Sequence, residues 1–214
     1  MSKIIVAIDN MSMMDYHKLS DFIQDHVWGF KLRSLALNYI SPEFRLNNNL
    51  MLDMKFYDLP SSIMEALTHA LGAGYNINTV HLTANFEGNE ELNKFIAGVS
   101  VLTSYSEEEW VLYHRYSIRE SIKQMHDKAL EYGYGYFVCS AQDLEFLDLS
   151  NSIKYICPGI RYKSSNVHDQ KRVVSPIEAV QLGADYLVIG RMITHANDPL
   201  EVIKQINQDC DKIF

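Results

Sequence analysis

The run LMLDMKFYDLP, residues 50–60, places three charges among apolar side chains. Read as a strand, it alternates: Met51, Asp53 and Lys55 share one face, and Leu50, Leu52, Met54 and Phe56 share the other. The apolar set belongs against helices, which turns Asp53 and Lys55 inward and leaves Asp58 just past the strand end. Burying such charges costs on the order of several kcal/mol each unless they are paired. Two readings stay open. The charges form an internal salt bridge that stabilises the fold, or a lysine held between carboxylates stays protonated and serves as a proton donor. Lys31 ends the neighbouring apolar run GFK. Arriving from an adjacent strand, it would complete an alternating array of Lys31, Asp53, Lys55 and Asp58.

A second set of residues suits an anion. PGIRYKSSNVHDQKR (residues 158–172) and VIGRMITHANDP (residues 188–199) each place glycine beside a cation. Gly159, after Pro158, and Gly190 would allow close backbone approach. Arg191 would grip a phosphate in a bidentate fork, and Gln170 would donate an amide hydrogen bond. Taken alone, Arg191 reads equally well as a surface cation. His81 ends an interior run and reads as a satisfied core histidine. The other histidines show no metal-ligand spacing, Glu107–Glu109 reads as a solvated helix start, and no nucleophile–base arrangement can be placed. The cysteines Cys139, Cys157 and Cys210 are odd in number, and the first two sit in apolar runs, so small buried hydrophobes are expected rather than a disulfide or metal site.

These side chains need a scaffold that gathers strand ends. Short apolar, β-branched runs occur at residues 3–9, 29–31, 50–55, 79–82, 98–103, 136–139, 153–158 and 186–190. Between them, helical spacing covers residues 15–24, 34–39, 61–72, 89–95, 113–132, 142–147, 176–182 and 199–211. Pro60, Pro176 and Pro199 stand at or near helix starts, where a missing N–H costs little. Strand-then-helix alternation implies a parallel sheet with helices outside it. Eight such units of about 27 residues each fit a single (β/α)8 barrel spanning residues 1–214. An open doubly wound sheet competes, but the first strand-to-helix turn, DNMSMMD, has no glycine-rich dinucleotide fingerprint. In a barrel the active site lies at the carboxyl ends of the strands, where Asp9, Lys31, Asp53, Lys55, His81, Thr103, Ser104 and Arg191 fall.

Composition narrows the partners. The chain has 214 residues, 47% hydrophobic and 21% charged, which fits an ordinary globular protein. With 19 Lys+Arg against 27 Asp+Glu, its net charge of -8 disfavours nucleic acid and anionic membrane surfaces as partners. No run approaches 18 apolar residues, and the amino terminus enters the first strand directly, so a cytoplasmic protein is expected.

The segment from Asp53 to Pro60 resembles the DxKxxDxP signature of the orotidine 5′-phosphate decarboxylase family, and the match continues in order along the chain. IVAID carries Asp9, GFK carries Lys31, VHLT carries His81, and VLTS precedes the fifth loop. PGIR is followed by DQKR and SP, and GRMITHANDP resembles the family's closing motif; only residues 105–135 align loosely. The resemblance implies decarboxylation of orotidine 5′-monophosphate to uridine 5′-monophosphate, with no cofactor and no metal. It makes Lys31, Asp53, Lys55 and Asp58 the catalytic array, with Lys55 as proton donor and Asp58 crossing into the partner's site in a homodimer. Asp9 and Ser62 would contact ribose hydroxyls, and Thr103 or Ser104 would approach the pyrimidine. Gln170 and Arg191 would hold the phosphate, with Pro158, Gly159 and Gly190 shaping the loops.

This chain departs from the family pattern at Ser62 (usually Thr), Met192 (commonly Pro) and Leu32-Arg33 (usually Val-Gly). Metal-dependent sugar-phosphate decarboxylases and aldolases of the same suprafamily share DxKxxD, but they carry a carboxylate metal ligand on strand 2, where this chain has Lys31. A non-catalytic nucleotide-phosphate-binding paralogue would be expected to lose one of the four charges, and all four are present.

Overall fold

The first strand shows how the barrel is built. In β1 (Ile4–Ile8), Ile4, Val6 and Ile8 join the large apolar cluster shared with the helices. Ile5 and Ala7 join a smaller cluster made of strand residues alone. The strand is thus apolar on both faces, as a parallel strand buried on both sides must be. The computed structural model describes residues 3–9, 11–33, 49–162 and 174–213. The other strands are β2 (Gly29–Leu32), β3 (Asn49–Phe56), β4 (Ile77–His81), β5 (Ile96–Val99), β6 (Tyr136–Val138), β7 (Lys154–Cys157) and β8 (Tyr186–Ile189). All pair in parallel in sequence order, and β8 closes on β1. The architecture is a single (β/α)8 barrel.

The barrel interior holds Ile5, Ala7, Met51, Ile77, Ala97, Ile156 and Val188. Trp28, Tyr136 and Tyr186 close its lower end at the strand starts, with the Trp28 and Tyr186 rings 5.2 Å apart. Outside, helices α1 (Met13–Ile23), α2 (Pro60–Gly72), α5 (Ile118–Glu131), α6 (Pro176–Gln181) and α8 (Pro199–Asp211) cover the sheet. The remaining helices are α3 (Glu90–Asn93), α4 (Glu107–Tyr113) and α7 (Arg191–Thr194). None among the described residues is long and apolar enough to cross a membrane. Pro60, Pro176 and Pro199 each occupy the first helical turn.

Several boundaries differ from the sequence expectation. The fifth strand runs from Ile96 to Val99 rather than over residues 98–103. Val101 is apolar because it anchors a turn in the outer cluster. The helix expected over residues 113–132 begins only at Ile118, and a separate helix, α4, ends at Tyr113. Ser106 with Glu109, and Ser117 with Glu120, form reciprocal capping boxes, so the chain breaks between Tyr113 and Ile118. Residues 142–147 make a 3₁₀ stretch (Ala141–Phe146), and α3 is a single turn. The helix expected over residues 34–39 lies outside the described residues. Cys139, Cys157 and Cys210 are buried free thiols. Burial, and then the neighbouring Cys157, push the Cys139 thiol well above its ordinary pKa, as inert core cysteines require.

Candidate active site

Parallel strands deliver all their carboxyl ends to one mouth. Lys31 is in register with Ala7 of β1 and Met51 of β3, so it occupies an inward position on β2. Asp53 lies two residues past Met51 and takes the next inward position. Lys31 Nζ donates to Asp53 Oδ2 at 2.9 Å, and Lys55 Nζ donates to Asp53 Oδ1 at 2.7 Å. Asp9 Oδ2 lies 3.6 Å from Lys31 Nζ on the open side. Lys31 and Asp53 are buried, whereas the Lys55 side chain keeps 29% of its surface exposed at the mouth. Burial by itself would raise the Asp53 pKa. The Lys31 and Lys55 charges, with their hydrogen bonds, outweigh it and hold the carboxyl below its usual range.

Lys55 reaches Asp53 by an unexpected backbone. Its φ is 51°, left-handed for a residue with a Cβ, and the β3–β4 register slips between Leu52 and Phe56. A β-bulge next to a site re-aims a side chain in this way. The regular alternation read from the sequence places Asp53 and Lys55 together, and they are together, but through an irregular strand. Met54 and Phe56 pack on the outer cluster, as that alternation expects.

Asp58 stands apart from this group. It is exposed, its Oδ1 accepts the Leu59 N–H at 2.6 Å, and it makes no ion pair among the described residues. The chain therefore assembles Lys31, Asp53 and Lys55, with Asp9 beside them, and leaves the fourth charge, Asp58, exposed outside the group.

The remaining candidates ring the same mouth. Ser62 is exposed in the first turn of α2, beyond β3, and Thr103 and Ser104 lie in the turn beyond β5. Pro158 and Gly159 follow β7, and Gly190 and Arg191 lead from β8 into α7. Gly159 has φ 81°, which favours glycine there. Gly190 has no such demand from packing, since an added Cβ would meet Ala7 at an ordinary 3.6 Å. Gln170 lies outside the described residues. Its segment is flanked by a parallel bridge between Ile160 and Val174.

His81 ends β4, and its Nδ1 lies 2.6 Å from the Thr83 hydroxyl and accepts the Thr83 N–H at 3.4 Å. Burial, then Lys55 and His114, lower its pKa, so it is a neutral, partnered ring as the sequence suggests. Thr79 went unselected in the sequence, although Ile77 two residues earlier points into the barrel and so marks position 79 as inward. Its hydroxyl accepts the Lys55 N–H at 2.7 Å. Among the described residues no group of three or more His, Cys, Asp or Glu is arranged to hold a metal ion.

The chain matches the family described as orotidine 5′-phosphate decarboxylase / HUMPS over residues 2–206. It is 33% identical to the orotidine 5′-phosphate decarboxylase of Prochlorococcus marinus (strain NATL1A), over 99% of this chain and 95% of that protein. Identity is also 33% with the enzyme of the same name from Aliivibrio salmonicida (strain LFI1238), over 96% of this chain and 95% of that one. The crystal structure of orotidine 5′-phosphate decarboxylase from Lactobacillus acidophilus superposes with a TM-score of 0.79, covering 99% of this chain and 100% of that one. At 20% identity that likeness speaks for the fold alone.

Proposed function

The chain belongs to the orotidine 5′-phosphate decarboxylase / HUMPS family, and from that premise we propose that it converts orotidine 5′-monophosphate to uridine 5′-monophosphate and CO2, a step of pyrimidine synthesis. The carrying observation is the buried Lys31–Asp53–Lys55 chain at the barrel mouth. Loss of CO2 breaks a carbon–carbon bond and leaves an electron pair on an sp2 ring carbon with no conjugated sink. Electrostatics must then stabilise it. The Lys55 ammonium, partly exposed and hydrogen-bonded to an ionised Asp53, is a charge and a proton donor in one group. It would stabilise the developing carbanion and then protonate that carbon. Asp53 would lie against the substrate carboxylate, where repulsion disfavours the bound ground state. Lys31 neutralises and orients Asp53 from below. Asp9 and Ser62 would take the ribose hydroxyls, Thr103 or Ser104 the pyrimidine, and Arg191 with Gln170 the phosphate. Remote phosphate binding can drive loop closure and so contribute to turnover.

The reading needs no metal. Each Asp53 oxygen already accepts an ammonium, so its charge is spoken for by lysines. A divalent ion would have to displace one of them.

The same reading makes the active unit a homodimer with shared sites. Asp58 faces outward three residues beyond Lys55, and Tyr57 and Leu59 beside it are 66% and 69% exposed. Leu112, Tyr113 and Tyr116 are exposed beyond β5. The Tyr57 and His81 rings approach to 6.1 Å, and His114, which stacks on Trp110 at 3.7 Å, acts electrostatically on His81. The two apolar areas thus lie near each other, and in the proposed dimer a second copy would cover both and bring its Asp58 to this mouth reciprocally.

Adding orotidine 5′-monophosphate and following the pyrimidine absorbance, with and without a chelator, tests the activity. Turnover indifferent to the chelator is expected. Binding without turnover would point to a nucleotide-binding paralogue, and chelator-sensitive turnover to a metal-dependent relative.

A further inference from the structure

The β3–β4 ladder pairs Met51 with Ile77 and Leu52 with Asn78, then resumes at Phe56 with Val80. Between those pairs β3 holds Asp53, Met54 and Lys55, while β4 holds only Thr79: three residues face one. The two extra residues cost β3 its regular hydrogen bonds at this point, and Lys55 takes the left-handed conformation, φ 51°. Such conformations persist only where the surroundings over-determine them.

Thr79 supplies that constraint. Its side chain is fully buried, and its Oγ1 accepts the Lys55 N–H at 2.7 Å, the donor that the ladder leaves without a strand partner. Because that oxygen accepts from Lys55, its own hydrogen is left to donate. Leu52 O at 3.2 Å and Asp53 Oδ1 at 3.4 Å are both within reach. One β-branched side chain, stiff about χ1, thus ties the N–H at the end of the bulge to the backbone before it or to the carboxylate within it. An apolar residue of the same shape would fill the space and hold none of the three.

We infer that Thr79 is a positioning residue: its hydroxyl holds the left-handed turn at Lys55 and so aims the Lys55 ammonium at Asp53 Oδ1 and the reacting carbon. This rests on the proposed decarboxylase reading and names a residue beyond the charged array.

Two hydroxyl deletions of different volume test it, Thr79→Val against wild type and Thr79→Ala against Thr79→Ser, so that a folding failure in one pair leaves the other. In each pair, loss of the hydroxyl should lower kcat about ten- to a hundredfold, the scale of a misplacement near 1 Å, with KM changed less than about threefold. Thr79→Ser should stay close to wild type. A second readout needs no turnover: the lysine ε-methylene NMR signal that Lys55→Ala removes should shift toward the exposed lysines in the hydroxyl-free variants. If kcat within a pair agrees to about twofold, or kcat and KM worsen in proportion, the positioning role is overturned. If wild-type protein turns over no orotidine 5′-monophosphate, the decarboxylase reading fails instead. The NMR signal then decides on Thr79, and an unmoved signal overturns the role.

Discussion

The two ends of the barrel use the same strands in opposite ways. At the lower end, inward positions carry Ile5, Met51, Ile77, Ala97 and Ile156, capped by Trp28, Tyr136 and Tyr186. Toward the carboxyl ends, inward positions carry Lys31, Asp53, Thr79 and Lys55, with Asp53 and Thr79 two residues and Lys55 four residues past their floor neighbours Met51 and Ile77. The floor is apolar, and full burial of each large aliphatic side chain there stabilises by roughly 1.5–3 kcal/mol. The mouth holds three paired charges, one of them a left-handed lysine, and every pairing there offsets a desolvation cost that an apolar site would not incur. The floor is complete within one chain. In the proposed reading the mouth is not, because Asp58 is exposed, bonded to the Leu59 N–H and outside the Lys31–Asp53–Lys55 group. Stability and chemistry are thus stacked along one axis and should separate under mutation.

The largest effect should come from the mouth. Lys55→Ala should lower kcat by on the order of 10³-fold or more, as loss of a proton donor and its charge does, while the thermal midpoint and uridine 5′-monophosphate binding stay near wild type. Steady-state kinetics beside calorimetry reads both, and turnover near wild type would remove Lys55 from the proton-donor role. The floor should show the reverse. Ile77→Ala should cost about 2–5 kcal/mol in denaturant unfolding and leave kcat per folded molecule nearly unchanged; a large kcat loss without a stability loss would break the separation.

The proposed homodimer with shared sites predicts recovery on mixing. Lys55→Ala and Asp58→Asn chains, each nearly inactive, should regain roughly a quarter of wild-type activity once subunits exchange, since about half the dimers are mixed and hold one intact site of two. Absence of recovery despite demonstrated exchange would place both residues in one chain's site. The smallest effect is in acid. Because the native Asp53 pKa lies below its ordinary 3.8, the cluster's contribution is complete above that value and is lost as pH falls through the lowered native pKa. The stability gap between wild type and Asp53→Asn, measured by urea unfolding, should therefore shrink as pH drops below about 4. A gap that widened in acid would mean that the native carboxylate is unpaired.

The strand–helix alternation and the apolar runs made the barrel legible, and α8 follows its expected span to the residue. Misplaced boundaries have local causes. The late start of α5 was written in the Ser117/Glu120 spacing, but helical periodicity that runs back to Tyr113 hides it. The early end of β5 was not legible, since Val101 is as apolar in its turn as it would be in a strand. At the site, Lys31, Asp53 and Lys55 announced themselves because charges inside apolar runs have few other places to go. Thr79 did not, because a threonine in a strand is ordinary there.

By itself the sequence determined which faces must be buried, where helices begin, and that lysines and carboxylates share the carboxyl ends of parallel strands. Those follow from periodicity, capping and the cost of unpaired charge, all of which act over a few residues. Only the tertiary structure decided that Asp53 takes one lysine on each oxygen, that the third strand bulges so that Lys55 turns left-handed against Thr79, and that Asp58 faces away. The Lys31–Asp53 pair and the Thr79–Lys55 bond depend on the register between strands more than 20 residues apart in the chain. Closure of the whole barrel sets that register.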